Sequence, residues 1–310
     1  MQIGIVGLGR MGGNMARRLS RGGVRVTGYD PSAAAAQALA KEGAIEAAAS
    51  LQALAAALPM PRVFWMMVPA GDATETTFEA LLALASPGDL VVDGGNAHYK
   101  DSERRAAAAL ARGIEFVDCG VSGGIWGLEE GYALMFGASD TAAARMAPIA
   151  RVLAPAPDRG WLRCGPPGSG HFVKMIHNGI EYGMMQAFAE GFALMRGKES
   201  FKLDVGAIAE AWRHGSVVRS WLLDLTAEFL AKDAELAGVA PVVADSGEGR
   251  WTVSEAIEQG VPAPVLAIAL MNRFDSQGKG DYAAKLLAMM RKGFGGHAVA
   301  SDPGIPSSRA

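Results

Sequence analysis

Apolar positions in the first half of the chain follow two rhythms. Short runs rich in β-branched and aromatic residues fall at 2–6, 25–29, 63–68, 90–93 and 115–118, while at 12–21, 33–41, 51–57, 73–85 and 101–112 Ala, Leu and Arg recur at helical spacing. That alternation predicts βαβ units, and right-handed crossovers then build an α/β domain around a doubly wound parallel sheet. A further strand pair stays open at 133–137 and 161–164. Four prolines and four glycines among residues 155–170 argue against a regular element there and mark a domain boundary. Past it the rhythm is helical: a long apolar segment at 171–195, then 205–213, 218–232, 253–259, 264–273 and 282–290. The expected layout is a sheet domain over 1–165, an all-helical domain over 166–300, and a tail at 301–310 that frays.

Composition narrows the possible roles. The 310 residues suffice for about two domains. With 29 Lys and Arg against 32 Asp and Glu, the net charge is −3 and the pI near 6.0, so nothing draws the chain generally to nucleic acid or anionic lipid. The longest apolar stretches, 64–70 and 261–271, are too short for the ~20 residues of a membrane span. The N-terminus enters the strand pattern directly, without the basic and apolar stretches of a leader. Cys119 and Cys164 stand in no metal-type or CxxC spacing. A soluble, cytoplasmic protein with no nucleic-acid partner, no membrane partner and no metal is expected. Glycine is the anomaly: 40 of 310 residues, nearly twice the usual ~7% and dispersed among apolar runs. Certain positions evidently require backbone without a side chain.

Gly7-Leu8-Gly9-Arg10-Met11-Gly12 follows the first strand and opens a helix. Its glycines allow a tight turn, close approach of backbone to a pyrophosphate and close helix–strand packing, while the helix start supplies N–H groups. Asp30 ends the next strand, 18 residues past Gly12, where a ribose 2′-hydroxyl needs an acceptor. In that context the motif predicts a Rossmann-type dinucleotide site; the plainer reading is a tight turn, with Asp30 merely starting the next helix. A carboxylate at 30 repels a 2′-phosphate, and no Arg follows in Pro31-Ser32-Ala33, so NAD is favoured over NADP.

In the long helical segment Lys174, His177, Asn178 and Glu181 fall at i, i+3, i+4 and i+7, which stacks them on one face. An amine, an imidazole, a carboxamide and a carboxylate on one face of an otherwise apolar helix offer a base, donors and an acid to one small polar ligand. The plainer reading is a solvated face; the Met, Ile and Phe of the opposite face are expected to be buried. Glu190 is read as structural. Two glycine-bearing loops, Asp93-Gly94-Gly95-Asn96 and Gly120-Val121-Ser122-Gly123-Gly124, close strands at carboxyl ends, where α/β ligands bind; simple turns are the alternative.

Taken in order, GLGRMG (7–12), VVDGGNAHYKDSERR (91–105), GVSGGIWGLEEG (120–131), HFVKMIHNGIEYGMMQ (171–186), GEGRWT (247–252) and RKGFGGH (291–297) resemble the short, bacterial-type 6-phosphogluconate dehydrogenases, decarboxylating members of the β-hydroxyacid dehydrogenase superfamily. The resemblance covers residues 1–300. It implies NAD-linked oxidative decarboxylation of 6-phospho-D-gluconate to ribulose 5-phosphate and CO2, a step of the pentose phosphate pathway and of gluconate utilization. It makes Lys174 the base at the C3 hydroxyl and Glu181 the acid that protonates C1 of the enediol. It puts Ser122, Gly123, Gly124, His177 and Asn178 on the sugar acid, and Asn96 between substrate and nicotinamide. Val68, Pro69 and Ala70 join Gly7, Leu8, Gly9, Arg10, Met11, Gly12 and Asp30 on the cofactor. Tyr182, Arg273, Arg291 and His297 surround the phosphate, the last two from a neighbouring subunit, which implies a homodimer or homotetramer. The chemistry is coherent: a β-keto acid loses CO2 when its developing enolate oxygen receives a proton, which Lys174 can give, so no metal is needed. Lys174 must start neutral, and burial favours that.

The sequence also departs from the family. The extended second helical half of its long members is missing, and their KGTGKW-like segment reads Ser246-Gly247-Glu248-Gly249-Arg250-Trp251. A cation is lost and a carboxylate gained beside the expected phosphate, which weakens that contact unless Arg250 turns inward. Two rivals follow: an NAD-dependent dehydrogenase of another 3-hydroxy acid or unphosphorylated sugar acid, without decarboxylation, as in 3-hydroxyisobutyrate-type relatives, and a non-catalytic dinucleotide sensor.

Overall fold

The computed structural model describes residues 1–295 and 297–300 and divides the chain into two compact units, the first Met1–Asn178 and the second from Gly179 onward. The tail expected to fray at 301–310 lies outside the described residues. The first unit is a sheet with flanking helices: β1 (Gln2–Val6), α1 (Arg10–Arg21), β2 (Arg25–Tyr29), α2 (Ala33–Lys41), β3 (Glu46–Ala47), α3 (Leu51–Ala57), β4 (Val63–Met66), α4 (Asp72–Leu84), β5 (Leu90–Asp93), α5 (Tyr99–Leu110), β6 (Glu115–Ser122), α6 (Gly127–Glu130), β7 (Ala133–Ala138), α7 (Asp140–Leu153) and β8 (Trp161–Gly165). The strands lie in the order β3-β2-β1-β4-β5-β6-β7-β8.

Both faces of the sheet are covered, which explains why its strands read as continuous apolar runs. Ile3, Ile5, Trp65 and Val92 enter one core; Val6, Phe64, Met66 and Val91 enter the other. The pairings from β3 through to β6 are parallel. The sheet is mostly parallel, as expected, and the strand pair left open from sequence supplies the one departure: β7 runs antiparallel to β6, and β8 runs with β7. The connection from β6 to β7 holds only a short 3₁₀ turn and α6, too little for a crossover but enough for a reversal.

The same pairing extends β6 to Ser122, past the expected end at 118. Trp161–Gly165 is a strand despite the prolines and glycines around it, since β7 supplies its ladder. Helix α7, capped by the Ser139 hydroxyl on Ala142 N (3.0 Å), was not among the expected helices; Pro148 sits inside it and obscures its pattern.

Helix α8 (Ser169–Gly197) is continuous, and the division between the units falls within it. It is followed by α9 (Val205–Trp212), α10 (Trp221–Lys232), α11 (Glu248–Gln259), α12 (Pro264–Ser276) and α13 (Asp281–Gly295). Side-chain caps fix two starts: Asp204 accepts from Ala207 N, and Ser220 from Leu223 N, so α10 begins at Trp221 and not at 218. Helix α11 begins five residues before the expected 253, at Glu248. Phe192, Val205, Ala209, Leu223 and Ala227 form one small core of the second unit, and Tyr182, Ala269 and Leu270 another. The apolar side of α8 is not buried as expected: Ile180 is 51% and Leu194 77% exposed. No helix among the described residues is long and apolar enough to cross a membrane.

Candidate active site

Because β1, β2, β4, β5 and β6 are parallel, their carboxyl ends line one edge of the sheet, and the loops singled out from sequence collect there. Gly7 leaves β1 at φ +91°, and a Cβ there would lie 2.4 Å from Met67 O; at Gly12 it would lie 2.0 Å from Gly7 O. Both glycines are thus required by packing, whereas Gly9 has open space on the side where its Cβ would be. Helix α1 starts at Arg10 with no side-chain cap and no acidic residue in its first turn, so its first N–H groups are left for an anion. Arg10 is exposed and Met11 half-buried. Asp30 accepts from Leu8 N (2.7 Å) and Ser32 N (2.8 Å), which fixes the carboxylate beside the glycine turn with lone pairs to spare for ribose hydroxyls. Val68, Pro69 and Ala70 follow β4, and Thr74, fully buried, donates to Pro69 O at 2.7 Å. The open side of Gly9, the uncapped helix and the fixed Asp30 fit a dinucleotide.

The loop carrying Asn96 is anchored through a buried network that sequence pattern did not reveal. Asp93, fully buried at the end of β5, accepts from Gly95 N (3.2 Å) and from Arg105 Nη1 (3.1 Å). Arg105, 2% exposed on α5, also reaches Glu75 of α4 at 3.0 Å. Arg104 binds Glu75 through both carboxylate oxygens, at 2.7 and 2.8 Å. These hydrogen bonds, Arg104's foremost and then Arg105's, hold the Glu75 carboxyl at about 2. Asn96 itself is exposed.

Helix α8 runs alongside β6, residue against residue. Asp118 of β6 accepts from Gly168 N (2.6 Å) and His171 N (2.7 Å), tying down the start of the helix. Burial pushes the Asp118 carboxyl up, against the opposing pull of His171 and those two N–H groups. His171, buried, meets Ser102 of α5 through Nδ1 at 2.7 Å. Two residues along β6, Gly120 faces the stem of Lys174: a Cβ at 120 would lie 2.3 Å from Lys174 Cβ. Two further on, Ser122 Oγ stands 3.5 Å from His177 Nε2.

Lys174 and Asn178 are buried, 6% and 8% exposed, and Lys174 Nζ donates to Asn178 Oδ1 at 2.7 Å. His177 Nδ1 lies 3.1 Å from the same oxygen and 3.5 Å from Lys174 Nζ. Lys174, His177, Asn178 and Ser122 therefore form one chain of hydrogen bonds. Gly123 (φ +135°) and Gly124 (φ +52°) follow directly, in conformations that favour glycine. Sequence periodicity found three of the four members, and the glycine-bearing loops point to Ser122, Gly120 and Asp93; the contacts that Asp118, His171 and Arg105 make depend on long-range packing and left no local signal.

Glu181 and Tyr182 lie further along α8, in the second unit, Glu181 half-buried and Tyr182 buried. The Arg273 guanidinium stacks on the Tyr182 ring, 3.4 Å from its centroid, and donates to Ala244 O at 2.7 Å. Ser246 N approaches the Tyr182 hydroxyl at 3.5 Å, and Gly249 packs against the ring, where a Cβ would lie 2.5 Å from it. Arg250 does not turn inward: it binds Asp245 through two bonds of 2.9 Å and lies over Phe274. Arg291 is exposed on α13 and forms no ion pair among the described residues; His297, also exposed, follows that helix. Among the described residues no group of three or more His, Cys, Asp or Glu is placed to hold a metal ion.

Comparison with known proteins accounts for both units. Residues 2–160 match the NAD binding domain of 6-phosphogluconate dehydrogenase, and residues 170–299 match the 6-phosphogluconate dehydrogenase C-terminal domain. The chain belongs to the 6-phosphogluconate dehydrogenase family. Within that family it is similar to the NAD(+)-dependent, decarboxylating 6-phosphogluconate dehydrogenase of Haloferax volcanii, 42% identical over 301 residues that cover 97% of this chain and 99% of that one. It is 37% identical over 297 residues to the decarboxylating enzyme of Synechococcus elongatus, covering 91% of this chain but 63% of that longer one. Among solved structures, Plasmodium falciparum 6-phosphogluconate dehydrogenase, studied with its cofactor NADP+ and its substrate 6-phosphogluconate, superposes with a TM-score of 0.83 at 29% identity, over 99% of this chain and 67% of that one. This family member thus has an NAD-binding type of domain and relatives of either cofactor preference.

Proposed function

We propose that this chain oxidises and decarboxylates 6-phospho-D-gluconate to D-ribulose 5-phosphate and CO2, with reduction of NAD. The observation that carries the reading is the Lys174–Asn178–His177–Ser122 chain, its Lys174–Asn178 end buried, at the ligand edge of a dinucleotide-binding sheet. The C-terminal family match and the decarboxylating activity in the names of the relatives favour it over simple oxidation of another 3-hydroxy acid. A nicotinamide cofactor held at the glycine turn and Asp30 would supply the hydride acceptor for C3. Lys174 takes the C3 hydroxyl proton as that hydride leaves, generating the 3-keto acid. As the bond to the carboxylate breaks and CO2 departs, the electron pair moves onto the carbonyl oxygen, which receives the proton back from Lys174. Glu181 then protonates C1 of the enediol while Lys174 removes the hydroxyl proton, giving the ketose. Asn178 and His177 orient Lys174; Ser122, Gly123, Gly124 and Asn96 line the sugar acid; Tyr182 and Arg273 take its phosphate end.

Asp30 supports NAD over NADP, since its carboxylate, fixed by Leu8 and Ser32, meets a 2′-phosphate with like charge. An assembly of two or more copies is supported by the exposed apolar residues of α8 and by Tyr282 (79% exposed) and Leu287 (58%) on α13. In that assembly Arg291 and His297 serve a neighbouring subunit's site. Initial rates with 6-phosphogluconate and gluconate, each with NAD and NADP, test the proposal. NADH and CO2 should form in equal amounts, fastest with 6-phosphogluconate and NAD; NADH without CO2 would refute the decarboxylating step.

A further inference from the structure

The connection from β6 to β7 is closed at its base, where the ladder ends on Ser122 and Ala133. Directly after that ladder come Gly123 and Gly124, at φ +135° and +52°. Two adjacent residues without side chains do not fix their own conformation, and glycine loses more freedom than any other residue when one conformation is imposed on it. The order of this turn therefore comes from its neighbours. One of them is Tyr132, buried beneath it: a Cβ at 123 would lie 3.2 Å from the ring, and one at 127 would lie 2.0 Å from it.

The other neighbour is the helix that begins at the glycine-rich turn. Asn14, Arg18 and Arg21 of α1 fall at i, i+4 and i+7, on one face, and that face follows the connection in order. Asn14 Nδ2 donates to Ile125 O at 3.4 Å, Arg18 Nη1 to Leu128 O (3.1 Å) and Glu129 O (3.2 Å), and Arg21 Nη1 to the Glu129 carboxylate (2.9 Å). The first bond is long and the last is an exposed ion pair, a class that contributes little. Arg18 is different: it is half-buried and uses all three nitrogens. Its Nε donates to Val152 O (3.2 Å) and Leu153 O (2.9 Å), and its Nη2 to Ala154 O (2.6 Å). One guanidinium thus joins the ends of α6 and α7 through carbonyls that helix ends leave without an intrahelical partner. Leu153 O also accepts from Tyr132 N at 2.9 Å, so the same contact seats the ring under Gly123 and Gly127.

We infer that Arg18 is a positioning residue for the reaction: from the dinucleotide helix it holds the Gly123-Gly124 turn in the conformation that receives the sugar acid. The inference rests on the proposed reading that Ser122, Gly123 and Gly124 line the substrate, and every group it joins lies in the first unit. With its three nitrogens engaged on protein carbonyls, Arg18 acts through the turn and not on a ligand.

The test uses Arg18→Met, which keeps much of the stem and removes every donor, and Arg18→Lys, which keeps a cation but has a single nitrogen in place of the planar fork that spans both helix ends. KM and kcat for 6-phosphogluconate at saturating NAD, the Kd for NAD by fluorescence titration, and Tm are measured on the full chain. KM should rise at least fivefold in both variants, with kcat within threefold and the Kd for NAD within twofold of wild type. If Arg18→Met does not fold, Arg18→Lys decides alone. A smaller rise in KM, whatever happens to Tm, overturns the inference and leaves Arg18 a structural residue; a Kd for NAD that climbs in step with KM overturns it as well. A wild type that reduces no NAD with 6-phosphogluconate overturns it together with the proposed function.

Discussion

Gly120→Ala probes the alignment of α8 with β6 directly. The added methyl would fall 2.3 Å from Lys174 Cβ, 2.8 Å from Lys174 Cγ and 3.2 Å from Gly170 O. Carbon atoms pack at about 3.5–4.0 Å, so strand and helix must separate by roughly 1 Å at the very residue proposed as the base. None of the three can swing aside, because the two carbons belong to the stem of a side chain held at its tip by Asn178 and the oxygen belongs to the backbone. Overpacking of this kind costs ~1–3 kcal/mol, which lowers Tm by about 3–10 °C for a unit of this size. A misplacement of ~1 Å at the reacting centre costs on the order of a hundredfold in rate. Affinity for NAD should hold, because the glycine turn and Asp30 belong to β1 and β2. The measurements are a thermal melt, kcat with 6-phosphogluconate, and a fluorescence titration with NAD. A kcat within threefold of wild type at unchanged Tm would refute the argument.

Four other changes test separate parts of the structure. Lys174→Ala should lower kcat with 6-phosphogluconate by ~10²–10⁴ while NAD still binds; unaltered NADH production removes Lys174 from the mechanism. Asp30→Ala should cut kcat/KM for NAD about tenfold or more and shift the NAD-to-NADP ratio toward NADP, and a constant ratio speaks against the ribose assignment. Arg105→Met leaves Asp93 buried without its cation and should cost ~3–5 kcal/mol in chemical denaturation; a loss under 1 kcal/mol contradicts the anchoring role. The Glu75 carboxyl at about 2 lies below its unfolded value of 4.5, so the folded state gains from it above pH ~4.5 and loses that gain as pH falls toward 2. The Tm gap between wild type and Glu75→Gln should therefore be widest near pH 7 and close on acidification, and a gap independent of pH excludes the linkage.

Much of the fold was legible because both faces of the sheet are covered, so β1, β2 and β5 read as short runs rich in β-branched and aromatic residues, with the bounds that the structure gives them. The reading stopped short where a neighbouring element, and not local pattern, decides the outcome. Gly120-Val121-Ser122 looks like a loop but is held in β6 by its ladder to β7. Glu248-Gly249-Arg250 falls before the helix expected at 253 but opens α11 against the Tyr182 ring. In the site the same division holds. Lys174, His177 and Asn178 announce themselves by helical spacing, and Asp30 by its distance from the glycine turn. Asp118, His171, Arg105 and Gly120 act on partners 12 to 69 residues away, a separation that periodicity does not report.

The reversal at β7 has a consequence for where chemistry can happen. Six parallel strands finish at the ligand edge, so a helix leaving directly after the sixth would set out from that edge and travel back over the sheet. With β7 and β8 pointing the other way, the chain is returned to the opposite edge before α8 begins, and the helix then advances beside β6 in the strand's own direction, from Asp118 past Gly120 to Ser122. Lys174 and His177 arrive at the ligand edge because the strands beyond β6 return the chain to the far edge. Direction, not strand count, matters: a parallel crossover in place of the β6–β7 turn would leave the proposed base at the wrong end of the sheet, with every local residue contact in β1–β6 unaltered.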